Sequence, residues 1–139
     1  MKKDRLIAKK SLGQNFITDE NFLQKLSSLI VTDNNSLIIE IGPGKGALTK
    51  ELIKKEIKQI LVIEKDDRLI DNLKTFSKEF KNFKIIHQDA LKIDYNKILK
   101  KNSIIVGNLP FNISSNLLMN WIFLHKWPPL YKKMYLMFQ

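Results

Sequence analysis

The chain has no cysteine and only two histidines, His87 and His125, among its 139 residues. Without cysteine it can form neither disulfides nor thiolate metal sites, and it suits a reducing compartment. Two histidines far apart in the sequence are too few for a histidine-based metal cage. The N-terminus is basic but lacks the apolar stretch of a secretory signal. These absences predict a cytoplasmic location and no metal.

Acidic residues are also scarce, with 14 Asp and Glu against 24 Lys and Arg, for a formal net charge of +10. Such an excess predicts polyanionic partners and carries no information about the fold. The chain also lacks a long continuous apolar segment, so nucleic acid is favoured over a membrane as the partner. A solvated, lysine-rich surface without a polyanionic partner is the alternative.

Short apolar runs alternate with helical patterns along the chain. The runs are short, rich in Ile and Val, and predict five buried strands: 36–42, 59–64, 83–88, 103–108 and 133–138. This alternation predicts an α/β fold with a mostly parallel sheet covered by helices on both faces. A further helix is predicted after the fourth strand, with Ser114 or Ser115 as its cap. In such sheets ligands bind beyond the carboxyl ends of the strands.

The first strand runs into EIGPGKGALT at 40–49. Its glycines allow a sharp turn and a close approach to a ligand where a helix begins. The spacing Gly42-x-Gly44-x-x-Ala47 also satisfies the dinucleotide fingerprint, whereas Lys45 is followed by Gly46, which excludes a P-loop. A ligand-binding turn is favoured over a purely structural one.

Acidic residues follow the next two strands. Glu64 ends the second strand about 20 residues after the glycines, where an acid can accept hydrogen bonds from ribose hydroxyls. Asp89, after the third strand, could accept a hydrogen bond from an adenine amino group. The alternatives are a surface glutamate and a helix-capping aspartate. Together with the glycine turn, Glu64 favours a bound nucleoside.

The fourth strand ends in Asn108-Leu109-Pro110-Phe111. Pro110 stiffens the loop and has no amide donor. Asn108 offers a side-chain oxygen, and Phe111 offers a flat apolar face on which a ring could stack. These groups suit an exocyclic amino group, although a core phenylalanine after a turn proline is the simpler alternative for this motif alone.

Six motifs together resemble the ribosomal RNA adenine dimethyltransferases. They are KKSLGQNFITD (9–19), EIGPGKGALT (40–49), IEKD (63–66), QDAL (88–91), VGNLPFNIS (106–114) and YLMFQ (135–139). The resemblance is greater to the small-subunit branch, which is linked to kasugamycin sensitivity, than to the enzymes acting on large-subunit RNA. It implies a Rossmann-like methyltransferase domain followed by a small helical domain.

The resemblance implies S-adenosylmethionine as cofactor and dimethylation of adenine amino groups in small-subunit ribosomal RNA. The implied cofactor contacts are Asn15, Ile17, Gly42, Glu64, Asp89 and Asn108. The implied catalytic residues are Asn108, Leu109, Pro110 and Phe111. The two amino protons of a flipped adenine would donate hydrogen bonds to the Asn108 side chain and to the Leu109 or Pro110 carbonyl. Phe111 stands where the family often has Tyr, so the stacking face is kept and a hydroxyl is lost.

The expected organisation is a basic arm over residues 1–18, which contributes to the cofactor site, followed by a methyltransferase domain over 19–139. The resemblance also implies that the last two strands and the helical domain are missing, which would leave MYLMF as an apolar edge strand prone to association. A truncated module that binds cofactor or RNA without turnover is one alternative function. A large-subunit methyltransferase and a nicotinamide-dependent oxidoreductase are the others, and the last leaves SLGQNF and NLPF unexplained.

Overall fold

The computed structural model describes residues 14, 16–124 and 127–138. Its strands are β1 (Leu37–Ile41), β2 (Gln59–Glu64), β3 (Phe83–His87), β4 (Ser103–Asn108) and β5 (Tyr131–Met137). They form one sheet in the order β3-β2-β1-β4-β5, and every neighbouring pair is parallel. The predicted α/β fold is therefore confirmed. The fifth strand begins two residues earlier than the sequence pattern indicated.

Helices connect the strands across both faces of the sheet. They are α1 (Glu20–Leu29), α2 (Ala47–Leu52), α3 (Asp67–Lys74), α4 (Phe76–Glu79), a 3-10 turn (Ala90–Lys92), α5 (Tyr95–Ile98) and α6 (Phe111–Ile122). In the described part of the chain, no helix has the length and apolar character needed to span a membrane.

The apolar side chains divide into two cores, one on each face of the sheet. Leu23 of α1, Leu52 of α2 and Leu73 of α3 pack on one face. Leu117 and Trp121 of α6 pack on the other, where the Tyr95 ring meets the Trp121 ring edge to face at 5.6 Å between ring centres. The central strand β1 is buried along its whole length, as expected for a parallel sheet covered on both faces.

The start of α6 differs from the prediction, which placed its cap at Ser114 or Ser115. The helix begins at Phe111, and the Pro110 carbonyl accepts hydrogen bonds from the amides of Ile113 (3.1 Å) and Ser114 (3.0 Å). Ser114 lies inside the helix, is buried, and donates its hydroxyl to the Phe111 carbonyl. Because the φ of Pro110 is already fixed, the chain turns into the helix directly after the proline without a side-chain cap.

Candidate active site

A cavity of about 470 Å³ lies at the carboxyl ends of the central strands. Its lining includes most of the residues singled out from the sequence, namely Ile17, Gly42, Glu64, Asp89, Asn108 and Pro110. Leu109 and Phe111 are not part of the lining, and Asn15 lies outside the described residues. The position agrees with the expectation for a doubly covered parallel sheet.

The three glycines of the turn after β1 all have positive φ, and their surroundings differ. A Cβ on Gly46 (φ +80°) would lie 2.3 Å from a ring carbon of Phe76, so this glycine is required by the packing of the turn. A Cβ on Gly42 (φ +61°) would meet no atom within 4 Å. Gly42 therefore borders open cavity, and Gly46 is fixed by the fold.

Glu64 is buried at the end of β2 and is held by backbone amides. Its Oε1 accepts hydrogen bonds from the amides of Lys65 (2.9 Å) and Asp66 (2.8 Å), and its Oε2 accepts one from the amide of Gly44 (3.2 Å). Burial raises the pKa of Glu64, and the three amides oppose that rise. A carboxylate offers about four lone-pair positions, so Glu64 retains capacity for a further donor from the cavity.

Asp89 is a capping residue and also lines the cavity. Its Oδ1 accepts a hydrogen bond from the amide of Leu91, which caps the 3-10 turn, and its Oδ2 pairs with Lys65 Nζ at 2.8 Å. The bond from Lys65 is the main cause of a lowered pKa of Asp89, which therefore stays ionised. The sequence reasoning missed Lys65. The signal available was its place directly after Glu64, since the pairing of β2 with β3 brings this position close to Asp89.

Residues of the arm lie over the glycine turn. A Cβ on Gly44 would lie 3.0 Å from the Phe16 ring, and Lys45 Nζ lies 5.0 Å from the centre of the same ring. Gln14 Nε2 donates a hydrogen bond to Asp66 Oδ2 at 2.9 Å. Phe16 and Gln14 thus close one side of the cavity, a role that neither residue type signalled in the sequence.

The four residues after the main part of β4 point in different directions. The Leu109 side chain is fully buried, and its amide donates a hydrogen bond to the Met137 carbonyl at 3.0 Å. Phe111, at the start of α6, is 73% exposed. Asn108 and Pro110 both line the cavity. The Pro110 carbonyl already accepts two helix amides, which makes the Leu109 carbonyl the better of the two acceptors expected from the sequence.

Glu40 is a further buried acid of the cavity wall that the sequence reasoning missed. It lies in β1 and accepts a hydrogen bond from the Thr49 hydroxyl at 2.7 Å. Burial raises its pKa to about 7. The available signal was the apolar character of the strand around Glu40. An acid within a buried strand must be buried together with the strand.

The model of the family described as Ribosomal RNA adenine dimethylase matches residues 5–139. A ribosomal RNA small subunit methyltransferase A of Bradyrhizobium diazoefficiens is 42% identical over 136 residues, which are 96% of this chain and 48% of the relative. The crystal structure of a dimethyladenosine transferase from Plasmodium falciparum has a TM-score of 0.75 at 28% identity, over 90% of this chain and 43% of that chain.

The 23S rRNA methyltransferase ErmE has a TM-score of 0.68 at 24% identity, over 78% of this chain and 43% of that chain. At this identity the likeness concerns the fold alone. The chain spans about half the length of the curated relatives that it matches.

Proposed function

The chain belongs to the ribosomal RNA adenine dimethylase family, and on that premise we propose that it takes part in the dimethylation of adenine amino groups in small-subunit ribosomal RNA, with S-adenosylmethionine as methyl donor. The observation that supports this proposal is that the glycine turn, Glu64, Asp89, Asn108 and Pro110 all line one cavity. The work would be done in the cytoplasm, on ribosomal RNA during ribosome assembly. A basic arm (residues 1–18) and a methyltransferase domain (residues 19–139) are the units that we assign to it.

The residues around the cavity fit the proposed cofactor. Open space borders Gly42 where any other residue would place a side chain, which suits a ligand lying against the backbone. Gly42 would border the methionine portion, Glu64 would accept from the ribose hydroxyls, and Asp89 from the adenine amino group. Ile17 and Asn15 of the arm would complete the site. S-adenosylmethionine supplies a methyl group on a positively charged sulfur.

The segment Asn108–Phe111 is assigned to the target base. The Asn108 side-chain oxygen and the Leu109 carbonyl would accept the two protons of the adenine amino group, which directs the nitrogen lone pair away from the protein acceptors. Pro110 holds these acceptors in place, since its own carbonyl is committed to α6. The exposed ring of Phe111 would stack on the base that has left its helix and so repay part of the unstacking cost.

Positioning and electrostatics carry the catalysis in this assignment. Alignment of reacting groups supplies about 7–11 kcal/mol in favourable cases. The amino proton becomes acidic once the nitrogen is methylated, so no side chain has to act as a strong base. The neutral acceptors Asn108 and Leu109 are consistent with that requirement.

Calorimetric titration with S-adenosylmethionine, beside NAD, tests the cofactor assignment. We expect saturable binding of the methyl donor, no binding of NAD, and clear weakening in Asp89→Ala. Asp71→Ala is the matched control, because Asp71 also pairs with a lysine but is exposed on α3, which the cavity does not include. NAD binding in place of the methyl donor would overturn the methyltransferase assignment.

Transfer of labelled methyl groups to purified small and large ribosomal subunits tests the reaction. We expect dimethyladenosine in the small-subunit RNA only. Cofactor binding without transfer would instead identify a non-catalytic binding module, and label in the large-subunit RNA would identify the other branch of the family.

A further inference from the structure

Helix α6 differs from the rest of this basic chain because it carries no charge. Residues 102–124 contain no Asp, Glu, Lys or Arg, although charged residues make up 27% of the chain. The buried side of α6 holds Leu117 and Trp121, which belong to the core. Its outer side is accessible and neutral, so it does not repel a polyanion.

Three asparagines, Asn112, Asn116 and Asn120, follow one another at intervals of four residues along the exposed side of α6. Residues four apart lie on the same side of a helix, about 6 Å apart along its axis. We refer to these three residues as the asparagine stripe. Beside it lie Phe111 and Met119, which are 73% and 51% exposed.

The asparagine stripe is continuous with the cavity. Asn112 lines the cavity together with Asn108 and Pro110, and the stripe runs from there along α6 towards its end. A polymer with one unit bound at Asn108 therefore has its next units close to the asparagine stripe. The 3-10 turn that packs against α6 carries Lys92, which is exposed and suited to a phosphate contact.

We propose that the asparagine stripe docks the nucleotides that flank the target adenine in a single-stranded stretch of RNA, with the amides of Asn116 and Asn120 contacting base edges. This inference rests on the proposed function. A side-chain amide both donates and accepts, so it matches the base edges that single-stranded RNA exposes. The stripe continues directly from the cavity that we assign to the target adenine, which favours RNA over a protein partner.

The double variant Asn116→Ala/Asn120→Ala tests the docking surface. Both residues are exposed, and alanine is a better helix former, so the variant is expected to fold. Asn21→Ala is the matched control, because Asn21 is an exposed asparagine of α1, which packs on the opposite face of the sheet. Asn112 is left unchanged because it lines the cavity.

Two RNAs separate base contacts from phosphate contacts. One is a short single strand with a central adenine, and the other has the same backbone with abasic residues on either side of that adenine. Binding is measured by fluorescence anisotropy with S-adenosylhomocysteine present. We expect the double variant to bind the first RNA about tenfold more weakly than the wild type does, with an unchanged salt dependence. The abasic RNA should bind both proteins equally, and Asn21→Ala should match the wild type on both RNAs.

Three outcomes would overturn the docking surface. Equal binding of the first RNA by wild type and double variant would remove the stripe from RNA recognition. An equal loss on both RNAs would show that the stripe does not contact bases. Unchanged RNA binding with altered self-association in sedimentation velocity would make α6 a surface for a second copy of the chain.

Measurements on the wild type distinguish a failure of the docking surface from a failure of the proposed function. If it binds S-adenosylhomocysteine and methylates RNA while the double variant behaves identically, only the docking surface fails. If it does neither, the proposed function fails and the docking surface fails with it.

Discussion

The two sides of the cavity hold their groups in different ways. On the side formed by the turn after β1 and the end of β2, three backbone amides fix the buried carboxylate of Glu64, and Gly46 packs against Phe76. On the side formed by Asn108–Phe111, the ring of Phe111 is 73% exposed. The carboxylate on the first side is fixed by contacts within the protein, whereas on the second side the Phe111 ring lies largely in the open.

This difference matches the two ligands that we assign to the cavity. A small cofactor is bound best by a rigid, preorganised site, because ordering the protein costs affinity. A base that enters from a polymer needs a surface that is open until the polymer is in place. Variants at residues that are fixed by packing should therefore lower the free energy of unfolding, whereas variants at residues that border open space should mainly weaken ligand binding.

The largest effect is expected from Gly46→Ala. The new Cβ would lie 2.3 Å from the Phe76 ring at a φ of +80°. Backbone strain and overpacking together should lower the free energy of unfolding by roughly 4 kcal/mol, measured by urea denaturation. Gly42→Ala is the matched control, since it carries a similar φ without any contact and should cost roughly 1 kcal/mol of stability.

The two glycine variants should rank in the opposite order when ligand affinity, and not stability, is measured on folded protein. Gly42→Ala places a methyl group at the edge of the cavity. It should therefore weaken S-adenosylhomocysteine binding even under conditions in which the variant is fully folded. If Gly46→Ala is as stable as the wild type, the turn relaxes more easily than its packing indicates. The side of the cavity formed by the turn after β1 and the end of β2, which we call the cofactor side, is then not rigid.

The next largest effect is expected from Leu109→Ala, compared with Phe111→Ala. Leu109 is fully buried, so its truncation should cost roughly 3 kcal/mol of unfolding free energy. Phe111→Ala should change stability by at most about 0.5 kcal/mol, since the ring is exposed. It should nevertheless weaken RNA binding about tenfold through the loss of base stacking.

Equal destabilisation by Leu109→Ala and Phe111→Ala in urea denaturation would contradict this comparison. It would mean that the Phe111 ring packs against the protein in solution. Phe111 would then no longer be available for a base.

The positions of Gly42, Glu64 and Asp89 at the cavity were easier to predict from the sequence than the arrangement of Asn108–Phe111, for a physical reason. Gly42, Glu64 and Asp89 follow strands of a parallel sheet, and that topology brings strand ends together whatever the side chains do. The cap of α6 was wrongly placed because the two hydrogen bonds that backbone amides donate to the Pro110 carbonyl depend on the path of the loop. Lys65 was missed because its partner Asp89 lies 24 residues away, and only the register of β2 and β3 brings them together.

A smaller, pH-dependent effect is expected on the cofactor side from Glu40. Burial raises its pKa from 4.5 to about 7, so the folded protein holds a proton that the unfolded chain releases at lower pH. The contribution of Glu40 to stability is therefore present at low pH and lost as pH rises. Between about pH 5 and 7.5 the free energy of unfolding should fall by roughly 2 kcal/mol relative to Glu40→Gln, in which this position does not titrate.

Urea denaturation of both proteins at several pH values measures the Glu40 contribution. Gln keeps an oxygen for the Thr49 hydroxyl, so the variant preserves the hydrogen bond of the wild type. Parallel pH profiles would show that the Glu40 carboxyl titrates normally, and hence that this part of the cavity wall is wetter than its burial indicates.

The smallest effect is expected from Lys65→Met, which removes the ion pair with Asp89. The Lys65 side chain is 58% exposed, so the pair itself contributes little to stability. Its loss should lower S-adenosylhomocysteine affinity about threefold, because Asp89 loses the cation that orients it. Calorimetry measures the change, and Lys74→Met, which removes an exposed ion pair with Asp71, is the matched control.

The direction of the change in Lys65→Met separates two roles for the ion pair. A weaker complex would mean that Lys65 positions Asp89 for the ligand. A tighter complex would mean that Lys65 and the adenine amino group compete for Asp89 Oδ2, since both donate hydrogen bonds to a carboxylate. In that case the ion pair must open before the adenine of the cofactor binds. Asp89 would then be less well arranged for the ligand than Glu64, which three amides hold in place.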